Sequence, residues 1–350
     1  MSSTFSVAES FDQQADWCER LGSPLYAHLL SRCAGAYEGP GALRELLQPH
    51  ENDDAATILP LRFMGAIHRL VLEERAPELA KFYPSVGGIV ELTRAWEAFR
   101  ETVRLHKDAI SLLIERPVQT NEVGRSGSLL AGFGLIAKRT GLPLRLLEIG
   151  TSAGLNLLWD QYRYEWSGGS WGNPLSPVRL ENVFIDGVLS LPATIPVIDR
   201  AGCDPSPVDI TSASGCLTLH SYIWADQVDR VRRLSAAIKV ARAVPCVIEK
   251  MHGAEWLEGC LRNPCGGAAT VIFQSAVWQY IVESEKQRII TIIEEAGKRA
   301  SEMSPLAWLR MEGDNKVFEI RLRIYPGFKE QIIGTSGPHA PSVRWLVEAH

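Results

Sequence analysis

The chain has 350 residues, of which 46% are hydrophobic and 22% charged. That is an ordinary globular composition, and it excludes a largely disordered chain. Its 36 Lys plus Arg against 41 Asp plus Glu leave a net charge of −5 without a block of like charge, so nothing advertises the basic surface of a nucleic-acid binder.

No apolar run is read as reaching the roughly 18 residues of a membrane span. Met1–Ser10 lacks the charged-then-apolar pattern of a signal peptide. The expectation is a cytoplasmic protein with no membrane or nucleic-acid partner; the oligomeric state is not read. Cys18, Cys33, Cys203, Cys216, Cys246, Cys260 and Cys265 are scattered, with no C-x-x-C pair. Reduced thiols and no metal site are expected.

The first 140 residues read as helical. A helix is expected from about Phe11 to Ala34 and another from Leu61 to Glu74, stopped near Pro77. The clearest stretch places Ile89, Leu92, Trp96, Phe99, Val103, Ile110 and Leu113 on one apolar face. Pro84 and the Gly87–Gly88 pair mark a turn.

After residue 140 the pattern changes. Leu144–Ile149 is a short apolar run of the buried parallel type, followed by a helix over Leu155–Tyr162. Further strands are expected at Ile195–Cys203, Val244–Ile248, Ala269–Phe273 and Leu306–Arg310. A final antiparallel pair at the sheet edge, Val317–Tyr325 and Gln331–Ile333, turns at Pro326-Gly327. Helices are expected at Ala225–Ala243 and Ser284–Ala300. Ser167–Ser206 reads as a long irregular excursion rich in Gly, Pro, Asn and Ser. The alternation implies an α/β domain with a mostly parallel sheet over 141–350, preceded by a helical region over 1–140.

The segment Glu148-Ile-Gly150-Thr-Ser152-Ala-Gly154-Leu-Asn156 lies between a strand and a helix, where open α/β sheets bind ligands. Three readings compete there. A dinucleotide fingerprint G-x-G-x-x-G would need glycine where Ser152 and Leu155 stand. A nucleophile elbow G-x-S-x-G is satisfied, with Ser152 as nucleophile and His339 as base, but such hydrolases place several strands before the elbow. An S-adenosylmethionine loop, acidic-x-Gly-x-Gly-x-Gly, matches Glu148, Gly150 and Gly154, with Ser152 at the middle glycine. Asp204, at the end of the next strand, is the expected acceptor of ribose hydroxyls; Asp186 and Asp199 are weaker alternatives and a plain turn is the bland one.

Several further segments are distinctive: Tyr83-Pro-Ser-Val-Gly-Gly88, Val118-Gln-Thr-Asn-Glu-Val-Gly-Arg125, Leu147–Leu157, Tyr162-Arg-Tyr164, Trp171-Gly-Asn-Pro174, Phe273–Tyr280 and Pro305–Glu312. On these the chain resembles, over nearly its whole length, the bacterial family known as domain of unknown function 2332. The resemblance implies a Rossmann-like methyltransferase sheet, mostly parallel with an antiparallel last strand. It implies no established reaction. Family members tend to carry Gly-Asp-Ala after the third strand, with Asp suited to the adenine amino group; here His252 or Glu255 would substitute. Gln274 stands where the family often has His.

The leading expectation is an S-adenosylmethionine-dependent methyltransferase-like enzyme acting on a small molecule, with the helical region capping its site. Cofactor contacts are expected from Glu148, Gly150, Ser152, Gly154, Asn156, Asp204, His252, Gln274 and Ser275. Asn121, Glu122, Tyr162, Trp171 and Trp278 are expected to meet substrate, Trp171 from a lid. His339, Tyr280 and Gln274 are the candidates for catalysis, His339 as general base. The alternatives are a serine hydrolase using Ser152 and a non-catalytic ligand-binding protein of the same fold.

Overall fold

The structure is a computed structural model that describes residues 6–186, 191–244, 246–313, 317–339 and 342–346. It divides into two units: residues 1–120 with 211–234, and residues 121–210 with 235–350.

The first unit is helical: α1 (Val7–Arg20), α2 (Pro24–Tyr37), α3 (Ala42–Leu47), α4 (Leu59–Leu72), α5 (Pro77–Ala80), α6 (Leu92–Leu105) and α7 (Lys107–Ile114). The single helix expected over Phe11–Ala34 is two. Gly22 takes φ +78° and Pro24 opens α2, so the chain reverses between them. The long helix over Ile89–Leu113 also divides, at His106, where the backbone leaves helical values. Phe11, Phe63 and Phe99 meet in the core, each ring 5.7–5.9 Å from the next. A fully buried side chain of that size contributes about 1.5–3 kcal/mol.

The stretch Ala55–Leu72 is, by length and composition, apolar enough to cross a membrane, contrary to the expectation above; 67% of it is buried inside the protein. It is the core helix of this unit. Arg69 on it donates to the Ser214 carbonyl and the Thr218 hydroxyl of α9 (Ala213–Ser221), a helix absent from the sequence reading. Asp226 caps α2, accepting the Leu25 N–H at 3.0 Å. Such contacts group residues 211–234 with the helices rather than with the sheet.

The second unit is α/β. It contains α8 (Arg125–Thr140), so the expected boundary at residue 140 falls after a helix that packs on the sheet. The strands are β1 (Leu144–Ile149), β2 (Arg163–Trp166), β3 (Gly169–Gly172), β4 (Arg179–Leu180), β5 (Phe184–Asp186), β6 (Val197–Asp204), β7 (Val247–Lys250), β8 (Ala269–Ser275), β9 (Leu306–Gly313), β10 (Phe318–Tyr325), β11 (Phe328–Ser336) and β12 (Val343–Trp345). Its remaining helices are α11 (Gly253–Cys260) and α12 (Glu283–Lys298), and the division falls within α10 (Val228–Ala243), after Leu234.

Among the described residues nine strands form the main sheet, in the order β5-β12-β11-β10-β9-β8-β1-β6-β7. From β7 through β9 all neighbours are parallel. The expected antiparallel pair is β10 and β11, but it is not the edge, because β12 and β5 continue the sheet beyond it. The excursion after β1 is partly regular: β3-β2-β4 is a small separate sheet.

Helices cover both faces. Leu147, Ile149, Ile272 and Trp308 pack with Leu257 of α11 and Ile289 and Ile293 of α12. On the other face Phe133 of α8 stacks on Trp159 at 4.3 Å and meets Phe273 edge-on at 5.2 Å.

Candidate functional site

The strand order reverses beside β1. The chain proceeds from β1 to β6 and β7 on one side, then crosses back to β8 on the other. Loops leaving β1 and β8 therefore part in opposite directions at their carboxyl ends, the place where ligands bind in open α/β sheets.

The loop leaving β1 alternates into left-handed backbone: Gly150 at φ +67°, Ser152 at +53° and Gly154 at +73°. The Gly150 and Thr151 N–H groups both donate to the Cys203 carbonyl, at 2.8 and 3.0 Å. A Cβ on Gly150 would lie 2.6 Å from Val277 Cγ1, and one on Gly154 would lie 2.9 Å from Ile248 Cδ1. Side chains of the protein fill the positions where their Cβ atoms would be.

Glu148, 2% exposed, accepts the Thr151 hydroxyl at 2.5 Å. Burial, with the nearby Asp204 charge, pushes its carboxyl up to about 8 against the smaller opposing effects of Thr151 and Arg125. It is largely protonated at neutral pH.

Asp204 ends β6, and its two oxygens hold backbone. Oδ2 accepts the Ser152 N–H at 3.0 Å and Oδ1 the Ser206 N–H at 2.8 Å. Ser152 is tied a second time, its carbonyl accepting the Val208 N–H at 3.1 Å. A carboxylate oxygen takes two acceptor bonds, so Asp204 keeps capacity for a hydroxyl besides its loop-shaping role. Asp199 is exposed and paired with Arg145. Asp186 lies in β5, and its side chain falls outside the described residues.

The segment before α8 latches onto the turn after β1. Asn121 Oδ1 accepts the Leu155 N–H at 3.0 Å, and Ser126 donates to Asn156 Oδ1 at 2.7 Å. Glu122 accepts the Gly124 N–H. Arg125 donates to the Ser275 carbonyl at 3.1 Å and the Pro338 carbonyl at 3.0 Å, joining the end of β8 to the loop that carries His339.

Past β8, Glu312 of β9 accepts the N–H groups of Val277 at 3.1 Å and Trp278 at 3.2 Å. Burial pushes its carboxyl upward, and those N–H groups partly oppose it. Gln274 donates to Glu312 and accepts from Trp308 Nε1 at 3.2 Å.

The chain matches, over residues 8–345, the model of a family described as "Uncharacterized protein conserved in bacteria (DUF2332)". It belongs to that family. No curated protein and no solved structure matches it.

In this DUF2332 chain hydrogen bonds pair Glu148 with Thr151 and Asp204 with Ser152, and join Gln274 and Trp278 through Glu312. Arg125 ties Ser275 to the His339 loop. Four expected contacts take other work. Gln274 is fully buried with both ends of its amide engaged. The Tyr162 hydroxyl donates to the Leu155 carbonyl at 2.6 Å from a buried ring. Trp171 is no lid: it stacks on Trp159 at 5.4 Å and donates to the Pro192 carbonyl. Asn156 is buried against Ser126. His252 is exposed at the start of α11, beyond β7, with Glu255 also exposed one turn on. Tyr280 is 44% exposed on the turn after Trp278, whose ring lies 6.1 Å from that of Trp308.

Thr151, Arg125 and Glu312 were missed. Arg125 and Glu312 end two of the distinctive segments, and Glu312 lies near the end of the strand that begins with the apolar run Leu306–Leu309. A charge closing a buried strand must find partners, and that signal was available.

Proposed function

We propose that this DUF2332 chain binds S-adenosylmethionine at the carboxyl edge of its parallel strands and is a methyltransferase-like enzyme for a small-molecule acceptor. The observation that carries the reading is the left-handed loop of Gly150, Ser152 and Gly154 at the reversal of strand order, bonded to a carboxylate on the neighbouring strand. The order β7-β6-β1-β8-β9 corresponds to 3-2-1-4-5, the nucleotide-binding half and its continuation in Rossmann-like sheets.

The donor set suits a cationic nucleoside. Glu148, Asp204 and Glu312 lie near the ends of β1, β6 and β9, and Arg125 acts on Glu148 and Glu312 alike. Asp204 would accept ribose hydroxyls with its remaining lone pairs. His252, after β7, would meet the base. Bound there, the cofactor supplies an electrophilic methyl group. The protein's part is then positioning: Ser275, Trp278 and Tyr280 orient the acceptor, Asn121 and Glu122 shape the entrance, and His339 takes a proton where the acceptor needs it removed.

A second reading, a serine hydrolase, is favoured by the left-handed backbone of Ser152 inside G-x-S-x-G. Titration calorimetry with S-adenosylmethionine and its homocysteine product tests the first. Binding supports it, and no heat at millimolar ligand overturns it. Fluorophosphonate labelling mapped to Ser152 would establish the second. Binding without methyl transfer to any acceptor would leave a ligand-binding protein.

A further inference from the structure

The Tyr83-Pro-Ser-Val-Gly-Gly88 segment has no part in the sheet unit. It forms a tight turn in the helical unit, with the Val86 and Gly88 N–H groups both donating to the Tyr83 carbonyl, at 3.1 and 3.0 Å. The turn presents Ser85, half-buried, to His68 on α4. Ser85 Oγ lies 2.8 Å from His68 Nε2, and His68 Nδ1 lies 3.3 Å from the Ser221 carbonyl.

The carbonyl decides the tautomer. It can only accept, so Nδ1 carries the proton and Nε2 is the lone-pair nitrogen. The Ser85 hydroxyl must then donate to Nε2. His68 is 1% exposed, and its ring is also fixed against Tyr83 at 5.5 Å. Burial holds the imidazole pKa down to about 4, so the ring is neutral at ordinary pH but a weak base. Nucleophile, base and base-orienting acceptor thus stand in the order that activates a serine.

We propose that Ser85 is a second reactive centre of this protein, a nucleophile activated by His68 and acylated by activated esters, either aryl esters or thioesters, with an apolar acyl group. The orienting group is a carbonyl rather than a carboxylate, so the imidazolium formed on attack is only weakly stabilised. That restricts the dyad to esters whose leaving group departs as a stable anion. Val86, next to the serine, and Ile89, four residues on, are exposed apolar side chains of the kind that suits an apolar acyl chain. As Ser85 Oγ bonds to the acyl carbon, its proton passes to His68 Nε2. The adduct collapses with the C–O or C–S bond pair leaving on the aryloxide or thiolate, which recovers that proton. Water then attacks the acyl-serine, giving a proton to Nε2, and the carboxylic acid departs as Ser85 regains its hydrogen. The sum is ester plus water to acid plus phenol or thiol.

The test uses the full chain with p-nitrophenyl butyrate and an alkyl fluorophosphonate, followed by peptide mass mapping. The butyryl or phosphonyl group is expected on Ser85. Ser85→Ala should lose it and lower ester hydrolysis at least about tenfold, and Ser85→Cys should restore acylation. His68→Gln should slow labelling of Ser85 comparably while circular dichroism stays native. Should that variant fail to fold, mapping on the unaltered chain still decides. Label absent from Ser85, label confined to Ser152, or hydrolysis unchanged in Ser85→Ala overturns the proposal. None of these outcomes bears on cofactor binding by the sheet unit.

Discussion

Asp204 Oδ2 accepts the backbone N–H of Ser152 at 3.0 Å, across 52 residues of chain. The bond fixes the loop after β1 in its left-handed shape and spends half of one carboxylate oxygen's accepting capacity. Asp204→Ala would strand the Ser152 and Ser206 N–H groups. Hydrogen bonds to a charged group contribute about 1.5–3 kcal/mol each before non-additivity, so urea unfolding should show a loss of about 2–4 kcal/mol. Asp199→Ala removes only an exposed pair and should cost under about 1 kcal/mol. Equal losses would mean that Asp204 does not hold the loop.

Glu148 gives the protein a pH dependence of definite sign. Its folded pKa, about 8, lies above the ordinary 4.5, so the folded state holds this proton more tightly than the unfolded chain. The stability it contributes is complete below the unfolded value and is lost as pH rises through the folded one, by up to about 1.4 kcal/mol per unit. Glu148→Gln, which cannot ionise, should melt progressively above the parent from about pH 5 to about pH 8. A constant gap between the two melting curves would place the buried charge elsewhere.

Cofactor binding should release a proton. A cation beside Glu148 favours the ionised carboxylate, so at about pH 7 up to about one proton should leave on binding S-adenosylmethionine. Calorimetry in buffers of different ionisation enthalpy reads this directly. The release should vanish above about pH 9 and in Glu148→Gln. Binding with no proton release at neutral pH would separate the cofactor from Glu148.

Glu312 anchors the loop after β8 through the Val277 and Trp278 N–H groups. Glu312→Ala should lower stability by about 2–3 kcal/mol and speed amide exchange at those two residues. Glu312→Gln keeps an oxygen acceptor and should lose less. Unchanged exchange in both variants would assign the loop's order to other contacts.

Ser152 holds φ +53°, a conformation that costs an L-residue about 1–2 kcal/mol. Ser152→Gly removes that strain but adds freedom to the unfolded chain. Stability should change by less than about 1 kcal/mol, and cofactor affinity should persist. Loss of affinity with an intact fold would give the hydroxyl a direct role.

The helical start, the α/β remainder and the importance of the Glu148–Gly154 loop follow from the sequence by itself. Apolar periodicity, Gly and Pro punctuation and short buried runs are local properties, and local properties survive without knowledge of the partners. They misled where a break was read through, at Gly22-Ser-Pro24 and at His106 inside the long amphipathic stretch. The helix expected over Leu61–Glu74 is α4, which carries Arg62, His68 and Arg69 into the core. They are satisfied by residues distant in sequence: Arg62 by the Ile114 carbonyl, His68 by Ser85 and Ser221, and Arg69 by Ser214 and Thr218.

Which polar groups face one another was decided only by the tertiary structure. Gln274, Tyr162 and Trp171 have side chains suited to binding, and the fold uses each to satisfy a buried partner. The sequence positions of Thr151, Arg125 and Glu312 do not name their partners, and these residues become ties of the loops after β1 and β8. The reason is desolvation. A buried N–H, carbonyl or carboxyl must be paired wherever the chain brings it, and the pairings span 150 residues from Arg125 to Ser275 and 34 from Trp278 to Glu312. No periodicity records such distances. They arise when β1 is placed between β6 and β8.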